Sequence, residues 1–182
     1  MKDSAEREAF LVLRAQSGDR EALDALLASA QEPLYRYLLS LVRERHLAEE
    51  ALQETFVRVY RKLGWLREPE LFRPWAYRIA TREAFRQLKR ERRWAEQVRD
   101  EETINAVASS PPREELAHEL SGRLRETVAT LSPASRAVVV LYYLHELSLE
   151  ETAVVLGVPL GTVKSRLAYG LAALRRQLKR AE

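Results

Sequence analysis

The sequence predicts an all-α chain of two small helical domains joined by a flexible linker, and three observations carry that expectation. Apolar residues recur at helical spacing through most of the chain, and nothing alternates like a strand for long. Only six glycines occur in 182 residues. Charge is unevenly distributed: residues 1–94 carry 19 basic and 15 acidic side chains, 95–115 carry 2 and 6, and 116–182 carry 9 and 6. Two mildly basic bodies, 1–94 and 116–182, therefore flank an acidic joint at 95–115. That joint, AEQVRDEETINAVASSPPREE, has weak apolar periodicity and a Ser-Ser-Pro-Pro breaker, so it reads as a linker. A structureless loop of that length is uncommon inside one compact domain.

Composition excludes several classes. With 46% apolar and 31% charged residues the chain reads as soluble and globular. Its longest apolar run, AVVVLYYL at 137–144, is far short of the ~20 residues of a membrane span. The start, MKDSAEREAF, is charged and lacks the apolar stretch of a signal peptide. The expected location is the cytoplasm, without membrane insertion. The absence of cysteine excludes disulfide scaffolds, thiolate zinc sites and cysteine nucleophiles.

In the first body, REALDALLASAQEPLYRYLLSLVRER predicts a long amphipathic helix bent at Pro33. The next segment, HLAEEALQETFVRVYRKL, places Leu52, Phe56, Val59 and Leu63 on one face, with Glu50, Gln53, Glu54 and Arg58 on the other. That polar face suits either solvent or a partner. From about 70 to 93, ELFRPWAYRIATREAFRQLKRERR puts Arg78, Arg82, Arg86, Lys89, Arg90 and Arg93 within a third of the helical wheel. Trp75 lies on the same side, and Tyr77, Ala80, Ala84, Phe85 and Leu88 lie opposite. Residues 73–93 hold eight basic and two acidic side chains. A merely solvated helix mixes signs to gain i,i+4 pairs. A one-sign stripe accepts repulsion and points to a polyanion, with phosphate backbone the leading choice.

In the second body, Ser132-Pro133 is a good N-cap and N1 pair for a helix over 133–146, despite the β-branched AVVVLYY. Ser148-Leu149-Glu150-Glu151 is a capping box that opens a short helix, LEETAVVL. Gly157 stands where a helix end wants a left-handed residue. Val158 can enter the core, and Pro159 fits the first turn of another helix. That helix keeps Val163, Leu167, Leu171, Leu174 and Leu178 on one face. Thr162, Ser165, Arg166 and Tyr169, with Lys164 alongside, occupy the other. Gly161 removes a side chain where the helix start would approach DNA. A capped helix, a glycine turn and a helix with polar and basic groups near its start describe a helix-turn-helix, whose second helix can read the major groove. The amphipathic period alone would fit an ordinary helical hairpin.

The sequence resembles the extracytoplasmic-function sigma factors, the two-domain members of the sigma-70 family. LVLRAQSGDREALDALL, LYRYLLSLV, ALQETFVRVYRKL and FRPWAYRIA match conserved region two in order, and LSPASRAVVVLYYLHELSLEETAVVLGVPLGTVKSRL matches region four. The resemblance implies promoter-specific transcription initiation with core RNA polymerase and promoter DNA as partners, together with an anti-sigma factor. Region two of the family binds the polymerase clamp helices and captures the melted −10 element. Carried over by position, the clamp surface comprises Glu49, Glu50, Gln53, Glu54 and Arg58. The −10 site comprises Gly64, Trp65, Leu66, Arg67 and Glu68 of the loop GWLREPE, with Trp75, Arg78, Arg82 and Arg86 along the strand. Region four docks on the polymerase flap and reads the −35 element through Thr162, Lys164, Ser165, Arg166 and Tyr169, with Arg136 as a phosphate contact. Tyr169 either offers its hydroxyl to DNA or packs against the domain. The resemblance implies no catalysis, cofactor or metal.

The chain departs from the family pattern at three places. Leu-Ala-Glu-Glu (47–50) replaces a common Asp-Ala-Glu-Asp, Thr81-Arg82 follows YRIA where Asn is common, and AYGL (168–171) follows KSRL where two arginines are common. Rival classes fit less well. A stand-alone helix-turn-helix regulator would use the same reader, but no ligand or receiver domain is visible to accompany it. His46, His118 and His145 lack ligand or triad spacing and read as ordinary surface or helix-end histidines. An interaction adaptor leaves the one-sign stripe unexplained.

Overall fold

The computed structural model describes residues 2–101 and 122–180, with side chains over 6–93 and 126–177. Every regular element among them is helical: α1 (Lys2–Gln16), α2 (Arg20–Val42), α3 (Arg45–Lys62), two 3-10 turns (Leu63–Trp65 and Pro69–Leu71), α4 (Phe72–Glu101), α5 (Gly122–Ala129), α6 (Pro133–Tyr143), α7 (Leu149–Leu156) and α8 (Leu160–Arg180). No helix among the described residues is long and apolar enough to cross a membrane.

In the first body α2 starts on Asp19, whose Oδ1 accepts the Ala22 amide at 3.1 Å. That backbone bond, and then Arg14, hold the Asp19 carboxyl below its ordinary range. Pro33 sits inside α2 without ending it. The helix stops at Arg43, which is left-handed (φ 64°) and donates its amide to Leu39 O. Ala76, Ala80 and Ala84 recur every fourth residue along α4 and are buried, as are Ala48 and Ala51 of α3. Small side chains on both surfaces bring α3 and α4 together. Tyr37 fixes α2 to the same helix. Thr81 Oγ1 donates to Tyr77 O at 2.7 Å, so Tyr37 Oη, also 2.7 Å away, is the donor to Thr81.

The second body forms as its caps dictate. The Ser135 amide donates to Ser132 Oγ, and Pro133 occupies the first turn of α6. The capping box at α7 is complete: Ser148 N donates to Glu151 Oε2 at 2.8 Å, and Glu151 N to Ser148 Oγ at 3.1 Å. Gly157 is left-handed at φ 64° and turns the chain from α7 into α8. At Gly170 of α8 an added Cβ would lie 2.9 Å from Val139 Cγ2, a methyl that valine's stiff χ1 cannot easily move. Overpacking of about 1–3 kcal/mol exceeds the roughly 1 kcal/mol gained in helix propensity. Gly170→Ala is therefore expected to cost about 1 kcal/mol, read as an earlier urea midpoint at unchanged slope.

The halves pack on each other. α6 lies against α2 and α7 against α4, and their buried apolar side chains form one cluster. Four expectations are corrected. α4 continues to Glu101, so the first seven residues of the expected linker are helical, while the rest of it lies outside the described residues. α6 ends at Tyr143, not near 146. Phe85, assigned to the buried side of α4, is 37% exposed. His145, read as a surface or helix-end residue, follows the end of α6 but is buried. His46 is exposed, and His118 falls outside the described residues.

Candidate nucleic-acid interface

Helix α4 presents the cationic stripe. Arg82, Arg86, Lys89, Arg90 and Arg93 are exposed, and Arg78 is half-buried, with Nε inaccessible and without a hydrogen-bond partner. Trp75 is half-buried against Phe72, ring centroids 6.1 Å apart. The stripe is not free of acid. Glu83, on the buried side of α4, pairs with Arg86 one turn on and with Arg58 of α3 at 2.5 Å. The buried carboxylate thus lies between two guanidinium groups. Arg90 reaches Glu50 at 2.9 Å, and Gln87 donates to the same oxygen at 3.1 Å. Two of the α3 residues assigned to the clamp surface, Glu50 and Arg58, are thus tied to α4.

The preceding segment, 64–70, is built from the two 3-10 turns. Gln16 Nε2 donates to Leu63 O and to Leu66 O, both at 2.8 Å, and anchors the loop to the end of α1. Trp65 stands 78% exposed on it. Arg67 and Glu68 are exposed, Leu66 is half-buried, and Gly64 has open space where a Cβ would point. An exposed indole on the loop that leads into α4, and a row of guanidinium groups along α4, provide the two elements that grip unpaired nucleic acid: a stacking platform and backbone charge.

On α3, Glu49, Glu50, Gln53 and Glu54 are exposed, and Glu49 pairs with Arg45 at 3.1 Å. Val57 and Tyr60 extend this face and are 42% and 68% exposed. Sequence reasoning missed both, because it looked for charge on the polar face. Their signal was apolar residues falling off the Leu52–Phe56–Val59–Leu63 stripe. Gln16 and Glu83 left no comparable local mark, since their partners are distant in sequence or follow from burial.

On α8, Val163 and Leu174 are buried, with Leu167 and Leu171 half-buried, while the described side chains stop short of Leu178. Lys164 and Ser165 are exposed, and Thr162 and Arg166 are half-buried. Ser165 Oγ donates to Thr162 O at 3.0 Å. Tyr169 is 62% exposed and does not pack into the domain. Gly161 meets open space. Thr162, Ser165, Arg166 and Tyr169 therefore share one accessible face, and Lys164 is exposed near the start of the helix but off that face. The sixth residue assigned to duplex reading, Arg136, is separate: it is 5% exposed on α6, and burial lowers its pKa to about 10.

The sigma-70 region 2 model matches residues 26–94, and the sigma-70 region 4 model matches 128–176. The RNA polymerase sigma-H factor of Pseudomonas aeruginosa is 32% identical, over 96% of this chain and 95% of that protein. The ECF RNA polymerase sigma factor SigE of Mycolicibacterium smegmatis is 34% identical over 87% of this chain, which spans 63% of that longer protein. The solved structure of CnrH in complex with the cytosolic domain of CnrY superposes with a TM-score of 0.71 at 25% identity, covering 97% of this chain and 99% of CnrH.

Proposed function

This chain belongs to the extracytoplasmic-function group of sigma-70 RNA polymerase sigma factors, and from that membership we propose how its residues divide the work of transcription initiation. Residues 1–94 bind the polymerase clamp through Glu49, Glu50, Gln53, Glu54 and Arg58, and they hold the melted −10 strand. Residues 116–182 read the −35 duplex, and 95–115 connect the two. The chain forms and breaks no bonds itself, works in the cytoplasm, and is restrained by an anti-sigma partner. CnrH, which shares the fold, is solved with the cytosolic domain of CnrY.

The observation that carries this reading is the exposed cationic stripe of α4, with Trp75 on the same helix and the exposed Trp65 on the loop before it, inside the region 2 match. Trp65 and Trp75 stack on unpaired bases, and Arg78, Arg82 and Arg86 follow the phosphates. Gly64, Leu66, Arg67 and Glu68 shape the pocket for a flipped base. On α8, Arg166 donates to a base edge, Thr162 and Ser165 meet bases or phosphate, and Lys164 and Tyr169 meet the backbone.

Fluorescence anisotropy on a promoter duplex tests the proposal. Flipping a base costs a few kcal/mol, more than one small domain readily offsets. The chain alone is expected to bind weakly, with affinity falling steeply as salt rises. Core RNA polymerase should convert this to tight, sequence-specific binding. Tight specific binding without polymerase would indicate a stand-alone regulator instead.

A further inference from the structure

The loop that carries Trp65 is held by a residue outside every surface assigned above. Gln16 closes α1, a helix that precedes the stretch matched by the region 2 model, 26–94. Its Nε2 donates to Leu63 O and to Leu66 O, and so grips both ends of the turn Leu63-Gly64-Trp65-Leu66. Both partners are carbonyls, which only accept, so the nitrogen of the side-chain amide must face them. Leu63 O also takes the Leu66 amide at 3.0 Å, which closes the same turn from within. The two gripped residues are rooted, Leu63 buried and Leu66 packed on the core, while Trp65 between them is exposed.

The grip is itself firmly seated. Ser17 Oγ donates to Arg14 O at 2.7 Å in the last turn of α1. Gly18 follows at φ 95°, which glycine adopts without steric cost, and turns the chain towards α2. Asp19 caps α2 and accepts Arg14 Nε at 2.8 Å, joining the two helices across the corner. The loop rests on α1 at both of its 3-10 turns. Few side chains can replace the amide: glutamate presents only acceptors to two carbonyl oxygens, methionine presents no N–H, and asparagine is one carbon shorter.

We propose that Gln16 is a positioning residue for the −10 site: by fixing the Leu63–Leu66 turn it sets how sharply the loop discriminates the unpaired base it receives. The proposal rests on the reading of 64–70 as the −10 loop, and in it Gln16 touches no DNA. Discrimination needs Trp65 and its neighbours in one geometry, and a site whose supporting hydrogen bonds are lost becomes too loose to tell one base from another.

Gln16→Met keeps the length and helix propensity of the side chain and removes both donors. Two hydrogen bonds of ordinary strength correspond to a roughly five- to thirty-fold shift in the equilibrium of the turn. Hydrogen exchange at the Leu66 amide of the free full-length chain should quicken accordingly, with exchange in α4 unchanged. In holoenzyme with core polymerase, competitive run-off transcription from promoters differing at one −10 base should show their preference ratio reduced roughly five- to thirty-fold. Preference between −35 variants and co-sedimentation with polymerase should stay at wild-type levels. In a Trp65→Ala chain, Gln16→Met should add little further loss, since both act through one turn. Gln16→Glu, with helicity monitored by circular dichroism, should behave alike and serves if the methionine variant does not fold. Unchanged exchange at Leu66, unchanged −10 discrimination, an equal loss at −10 and −35, or a fully additive loss on Trp65→Ala would each overturn the proposal and leave the sigma reading standing. If the wild-type chain shows no polymerase-dependent preference at all, the sigma reading and the role given to Gln16 fall together, while exchange at Leu66 still decides whether Gln16 holds the turn.

Discussion

Converting Gln53 and Glu54 to lysine is expected to reduce polymerase-dependent run-off transcription at least about a hundredfold. Both side chains are exposed on α3 beside Val57 and Tyr60, so the substitutions reach a partner without disturbing the core. A charge-assisted contact contributes about 1.5–3 kcal/mol, and juxtaposed like charges cost several more. The weak duplex binding of the chain alone should be unchanged, because α8 is untouched. Co-sedimentation with core polymerase, run beside the run-off assay, checks both halves of the expectation. Wild-type transcription by the doubly substituted chain would remove α3 from the polymerase contact.

Arg166→Ala is expected to weaken −35 duplex binding by about 1–3 kcal/mol, roughly 5- to 150-fold. Arg166 is half-buried on the accessible face of α8, and Ser165 and Tyr169 flank it. Truncating it should relax preference at one or two base pairs and leave the melting temperature nearly unchanged, since no core contact is lost. Lys164→Ala should differ in kind, weakening all sequences alike and reducing the salt slope by about one unit. Competition binding against single-base variants of the −35 element separates the two. An unchanged base preference in the Arg166 variant would mean that α8 is not the reading helix.

Features written in local sequence were legible. The box Ser148–Glu151, the left-handed Gly157 and the small-helix segment LEETAVVL stand as the spacing predicted. The basic stripe was visible because a helix repeats every 3.6 residues, and one sign of charge persisted along that face through about four turns, from Arg78 to Arg93. Arg136 was readable only as a basic residue on a DNA-binding half. Its acceptors on α2 lie 95 and 96 positions away, beyond what any periodicity records. His145 was misread for the same reason: Tyr77, 68 positions earlier, supplies the partner that permits its burial. Burial, with nearby Arg73 and Arg36, lowers its pKa to about 4. Glu83 shows a different limit. It entered the sequence reading only as one of two acids counted in 73–93, yet its buried carboxylate pairs with both Arg58 and Arg86. The end of α4 was misplaced because residues 95–101 show weak apolar periodicity and were grouped with the Ser-Ser-Pro-Pro breaker that follows, although the helix continues through them.

Permanganate reactivity of promoter thymines is the most direct test of the central claim, which is that α4 and its Trp65 loop capture unpaired −10 bases once polymerase is bound. With the chain and core polymerase together, thymines between the −10 element and the start site should become reactive. Neither component alone should produce that pattern, and Trp65→Ala with Arg82→Ala should suppress it while −35 protection persists. Duplex that stays unreactive in the complete mixture, with the −35 site protected by the chain alone, would contradict the account.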